Sequence, residues 1–316
     1  MNRRSLIRNV TTAGAGFLLD RLWAQKKAID KNAGEEFTIR SDVRLVLLDV
    51  SVKDREGALV SGLTKENFSV VENGRVQPIT VFDHDDLPVT LGILVDESRS
   101  MAPKRSDVLR AAEALIAESN PNDEIFVLNF NEDVRRGLAP GPLFSGDPAQ
   151  LHDALYRGVP EGRTALNDAV VDGLEQLEMG QRAKKTLVLI SDGGDNASKH
   201  LRRETMDKVE RSIATIYTIG LFDAEDPDSD PGILRQLAKI SGGEAYLPQS
   251  SQEMLPLCHR IARDIRARYT VGYLPPAGSG NAVRHIEVHA SGAGYSKLTT
   301  KTRSSYIYEE AGNTRK

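Results

Sequence analysis

Leu87-Pro88-Val89-Thr90-Leu91-Gly92-Ile93-Leu94-Val95-Asp96-Glu97-Ser98-Arg99-Ser100-Met101 decides the fold. Its first half is a continuous apolar run rich in branched residues, the pattern of a strand buried on both faces. Its second half sets a carboxylate and two hydroxyls at alternate positions, Asp-x-Ser-x-Ser. Pro103 and a helical stripe at Val108, Ala112 and Leu115 follow. A buried strand that runs through a polar loop into an amphipathic helix is a unit of a mostly parallel sheet with helices on both faces. The loop then falls in the crevice outside the carboxyl ends of the strands, where such sheets bind ligands.

Toward the C-terminus the same texture continues to about Arg266. Glu124–Leu128, Thr186–Ile190 and Ile213–Ile219 read as further buried strands. Leu166, Val170, Leu174 and Leu177 recur at helical spacing, and Gly242-Gly243 ends a helix that starts near Ile233. Met254, Cys258, Ile261 and Ile265 lie on one helix face, so the only cysteine reads as core packing, and it has no partner for an intrachain disulfide.

The segments flanking this unit are different. From Phe37 to Phe82, Val43, Leu45 and Leu47 alternate, Leu48, Val50 and Val52 continue on the other phase, and Asp54-Arg55-Glu56-Gly57 closes a turn. Phe68–Glu72 leads into Asn73-Gly74, a strong hairpin signal, which predicts Val76–Phe82 as the returning strand. Past the Cys258 helix, Tyr269–Leu274, His285–His289 and Leu298–Lys301 resume half-exposed strand patterns. Neither flank has enough strands to bury a core alone. The expected architecture is therefore a doubly wound α/β domain over 87–267, inserted in a small β-sandwich built from 36–86 and 268–310.

The N-terminus carries Arg3-Arg4, a mild apolar run from Val10 to Leu19 and the small residue Ala24. That order resembles a twin-arginine export signal over residues 1–24, implying a periplasmic or extracellular protein. Asp20 and Arg21 cut the run short of the roughly 20 residues a membrane span needs, and no later stretch qualifies. A net charge of −4 over 316 residues gives no electrostatic reason to expect nucleic acid or an anionic membrane as partner. The oligomeric state is not legible.

Two more oxygen donors fall where the crevice would need them: Thr164 in Gly162-Arg163-Thr164-Ala165, at a helix start, and Asp192 in Ser191-Asp192-Gly193, at a strand end. Carboxylates and hydroxyls together suit a small, hard divalent cation, Mg²⁺ or Mn²⁺. In this order and placement the three segments resemble the metal-ion-dependent adhesion site of von Willebrand factor A domains. The flanking AspValSerValLysAsp, GlyLeuThrLysGluAsnPhe and TyrThrValGlyTyr extend the resemblance to the acidobacterial VWFA-related domain proteins. The resemblance implies that Ser98 and Ser100 ligate the metal directly, Thr164 directly or through water, and Asp96 and Asp192 largely through water. It also implies a protein partner that presents an Asp or Glu carboxylate to the open coordination position.

Asp195 and Asn196 read equally as supporting residues of the site or plain surface, and Glu97 and Arg99 as side chains pointing away from it. The acidic run from Asp223 to Asp230 lacks the glycine and distal glutamate of an EF-hand loop and reads as solvated. The six histidines, at 84, 152, 200, 259, 285 and 289, show no motif linking one to the serines, and no nucleophile elbow or phosphate loop occurs. The expectation is a binding module rather than an enzyme. A structural cell-envelope component with a vestigial site and a metal-dependent hydrolase are the alternatives.

Overall fold

The computed structural model describes residues 45–222, 228–276 and 282–308. The expected export signal, the start of the first sandwich segment including Val43, and most of the acidic run lie outside the described residues. Strands β1 (Val46–Lys53), β2 (Phe68–Glu72), β3 (Arg75–Gln77) and β4 (Ile79–Asp83) come first. The α/β unit follows with β5 (Val89–Asp96), α1 (Arg105–Ala117), β6 (Glu124–Phe130), β7 (Val134–Arg136), α2 (Pro148–Tyr156), α3 (Leu166–Glu178) and β8 (Lys184–Ser191). It continues through α4 (Arg202–Arg211), β9 (Thr215–Gly220), α5 (Pro231–Ser241), β10 (Ala245–Tyr246) and α6 (Met254–Arg266). Strands β11 (Tyr269–Tyr273), β12 (Ala282–Ala290), β13 (Thr299–Lys301) and β14 (Ser305–Tyr308) close the described chain.

The α/β unit holds a six-stranded sheet of order β10-β9-β8-β5-β6-β7. All neighbours run parallel except β7, which pairs antiparallel with β6. Its helices pack as two groups, α6 with α1 and α2, and α3 with α4 and α5. Both faces are therefore covered, and every residue of β5 is buried, as its unbroken apolar run requires. The first two parallel strands, β5 and β6, build in one direction, and the chain then crosses to β8 on the other side of β5. The boundary between β5 and β8 is the point where the winding reverses, and there the carboxyl ends of the strands open a crevice.

The flanking strands form two antiparallel four-stranded sheets, β13-β1-β11-β4 and β14-β12-β2-β3. Strands preceding the α/β unit pair with strands following it: Val50 with Tyr269 in one sheet, Ile286 with Glu72 in the other. Their inward side chains share one core, in which Val50, Val70, Tyr269, Val271, Ile286 and Val288 are buried together. The doubly wound sheet inserted in a small sandwich, expected from the sequence, is what the chain forms.

One strand departs from expectation. The stretch from Val76 to Phe82 does not return as a single hairpin partner. Arg75–Gln77 pairs with β2 around the Asn73-Gly74 turn, in which both residues take positive φ, at 48° and 77°. Beyond Pro78, β4 pairs with β11 in the other sheet. A proline has no N–H for the ladder, so pairing breaks there and the chain changes sheets. Ile213 was expected inside the strand that became β9, yet it lies before it and is exposed.

Candidate metal centre

Asp96 is the last residue of β5 and is buried; its carboxylate accepts hydrogen bonds from the Ser98 N–H at 2.8 Å and from the Ser191 hydroxyl at 2.6 Å. Burial first, and then the negative charge of Asp192, push its pKa up to about 7. Ser98 Oγ and Ser100 Oγ lie 3.2 Å apart, and the Ser100 hydroxyl donates to Asp192 Oδ2 at 2.5 Å. Asp192, immediately past β8, is held from its other oxygen by the Gly194 N–H at 3.1 Å. Thr164 stands just ahead of α3, its N–H donating to Asn196 Oδ1 at 3.0 Å and its carbonyl accepting from the Asn196 and Ala197 N–H groups.

Ser98, Ser100, Thr164 and Asp192 line one pocket of about 320 Å³, and Asp96 sits beneath it, tied to Ser98. The structure thus brings all five sequence-selected residues to the crevice where the sheet reverses. Among the described residues no three His, Cys, Asp or Glu side chains form a metal cluster. Three of the five donors are hydroxyls. Two neighbouring carboxylates whose charges disfavour one another, with three hydroxyls, form a donor set that fits a hard divalent cation better than a soft one.

Asn196 belongs to the site, since it fixes the backbone of Thr164 and lines the same pocket. Asp195 is drawn instead to the Asn167 amide and the Ser198 hydroxyl, which anchors the loop to α3. Asp228, from the acidic run, also lines the pocket and accepts from the Asn196 amide at 2.9 Å. Sequence reasoning missed it because its contribution depends on how the loop after β9 folds back. Arg99 was expected to point away, yet it and Arg163 line the pocket, both exposed. Glu97 does turn away from the pocket, but into the protein: it is 2% exposed, and its Oε2 accepts from Arg105 at 2.9 Å.

No described histidine lines the pocket; His200 pairs with Asp168 and His152 with Glu113. Cys258 is fully buried on α6, with burial pushing its thiol up to about 12, which leaves it as packing. No helix among the described residues is long and apolar enough to cross a membrane.

Residues 91–194 match the family model of the von Willebrand factor type A domain. Similar solved structures include a von Willebrand factor type A protein from Catenulispora acidiphila, at TM-score 0.52 and 14% identity over 86% of this chain and 76% of that one. Proximal thread matrix protein 1 from the mussel byssus, with a zinc-occupied MIDAS motif, aligns at TM-score 0.48 and 16% identity; 58% of this chain covers 49% of it. Manganese-loaded TRAP protein from Plasmodium vivax aligns at TM-score 0.44 and 12% identity, over 74% of this chain and 97% of that one. No curated protein sequence matches the chain.

Proposed function

We propose that this chain, which carries a von Willebrand factor A-type domain, is an exported, metal-dependent protein-binding or adhesion module. In this reading Ser98, Ser100 and Thr164, with Asp96 and Asp192, hold Mg²⁺ or Mn²⁺ at the carboxyl ends of β5 and β8. Residues 87–267 form the binding domain, 36–86 and 268–310 the sandwich that carries it, and 1–24 the export signal. The observation that carries the reading is the convergence of four of these side chains in one open pocket, with Asp96 beneath it.

The bound cation supplies an open coordination position for a partner's Asp or Glu carboxylate. The protein's own groups do the rest. Asp96 and Asp192 bring two formal negative charges against the cation's two positive ones, and Arg99 and Arg163 at the rim meet the further negative charge that an acidic partner brings. Asn196 holds Thr164 in place, and the hydrogen bond from Ser100 to Asp192 keeps loops from two strands in register.

The test is titration of the wild-type protein and Asp192→Ala with Mg²⁺, read by thermal melting and calorimetry, followed by pull-down from an envelope fraction with Mg²⁺ or chelator. Wild type should gain about 2.7 kcal/mol at a hundredfold excess of cation over its dissociation constant. Asp192→Ala should fold, gain far less, and lose the Mg²⁺-dependent partner. Identical Mg²⁺ responses in the two proteins would remove the basis for the reading.

A further inference from the structure

A second pocket, of about 120 Å³, opens on the other side of the Asp96–Ser100 loop, lined by Glu97, Asn129, Arg135, Arg136, Arg157 and Gly158 among others. It exceeds by several times the roughly 10–15 Å³ that one water requires. Two buried acceptors of its lining residues have no hydrogen-bond donor: Glu97 Oε1 and Asn129 Oδ1, in residues 2% and 5% exposed. Both side chains are fixed from behind. Glu97 Oε2 takes a hydrogen bond from Arg105, whose guanidinium also donates to the Gly158 carbonyl at 2.8 Å, and the Asn129 amide donates to the Ala154 carbonyl at 2.8 Å.

An orphaned buried carboxylate oxygen and amide oxygen are costly unless N–H or O–H donors meet them. The rim has the opposite character. Arg135, Arg136 and Arg157 are exposed there, Arg135 pairs only with solvent-facing Asp133, and Arg157 makes no ion pair among the described residues. A Cβ at Gly158 would fall 2.2 Å from Glu97 Oε1, so only glycine fits beside that carboxylate.

The geometry points to a binding site for a small zwitterion of the α-amino acid class, with its ammonium group donating to Glu97 Oε1 and Asn129 Oδ1 and its carboxylate on the rim arginines. A bare cation would be repelled by the rim arginines, and a bare anion would leave the two orphaned acceptors without a donor, so a ligand with both ends matches the wall. The site has no lining residue in common with the cation pocket, though the Asp96–Ser100 loop and the segment from Arg157 to Thr164 contribute to both, and its occupancy does not depend on the metal.

The test uses the full chain in chelator, where a carboxylate cannot bind through a divalent cation. Melting and calorimetry are run against glycine, alanine, serine and aspartate, with betaine, acetate and methylammonium as probes lacking N–H donors, the cation or the anion. At least one amino acid should raise the melting temperature while the three probes do not. Glu97→Gln and, at the exposed rim, Arg157→Ala should each weaken binding roughly tenfold or more, the loss of one charge-assisted contact. Asp192→Ala should bind as wild type does. No binding across the panel overturns the proposal, as does binding indifferent to both Glu97→Gln and Arg157→Ala, or equal binding of betaine. Loss of binding in Asp192→Ala would place the ligand in the cation pocket and overturn it equally.

Discussion

Gly193 sits at φ +82°, and a Cβ there would lie 2.2 Å from the Asp230 carbonyl oxygen. The Ser-Asp-Gly turn after β8 therefore admits glycine on two counts, backbone conformation and space. Gly193→Ala should destabilise the fold by at least roughly 1–2 kcal/mol from the left-handed backbone alone, and displace Asp192 enough to weaken the Mg²⁺ response; urea unfolding and calorimetry check both. The candidate ligands were legible because each carries its chemistry in its residue type and stands at the end of an apolar run or the start of a helical one. Asn196 was left undecided and Asp228 missed because their roles come from loop geometry that no local pattern encodes. The direction of Glu97 away from the cation pocket was legible, but not its destination. The walls it meets come from β6 and the Arg157–Gly158 turn, far away in sequence.

At the scale of elements, strong apolar periodicity made the buried strands and α1, α3 and α6 readable, while weakly patterned pieces escaped. The two-residue β10 and three-residue β7 are too short to show alternation. In α4, Thr205, Met206 and Val209 are the buried residues among charged neighbours, so the stripe is too thin to read. Helix α5 follows from its flanks: Gly242 closes it in the left-handed conformation, and Asp230 caps it, accepting from Gly232 and Ile233 N–H groups at 2.7 and 3.2 Å. Asp230→Ala should cost about 1 kcal/mol in urea unfolding. The Asp230 carbonyl stays against Gly193 in that variant, so the Mg²⁺ shift in melting temperature should persist.

The α/β unit and the sandwich are joined by buried charge rather than by a bare apolar contact. Arg268 donates to Tyr217, to the Asp49 and Gly242 carbonyls, and lies 3.7 Å from Asp264, which in turn accepts from Ser51 and Tyr217. Nearby, Glu244 takes Lys53 of β1 and Lys301 of β13. Burial acts to raise the Glu244 pKa, but hydrogen bonds and charge from the two lysines outweigh it and hold the group at about 2, against 4.5 ordinarily. A depressed folded-state pKa gives stability that is complete above the unfolded value and is lost as pH falls through the folded one. At about 1.4 kcal/mol per unit, moderated by partial exposure of the seam, Glu244→Gln should cost roughly 2 kcal/mol at pH 7. That difference should close between about pH 4.5 and 2 in acid-unfolding curves.

Because β1 pairs with β11 and β2 with β12 across the whole inserted unit, the order of events in folding is constrained. Val46 cannot find Tyr273 until everything between them has been made. During synthesis the first strands emerge with unpaired edges and a half-formed apolar face, a state open to wrong partners. The inserted unit has mostly neighbouring strand pairings and can organise early. Once formed, it brings the two distant chain segments together and shortens the loop whose closure the sandwich would otherwise have to bear in entropy. The α/β unit is thereby also the template on which its own support assembles, and a variant that slows its folding should leave the sandwich strands exposed for longer before they pair.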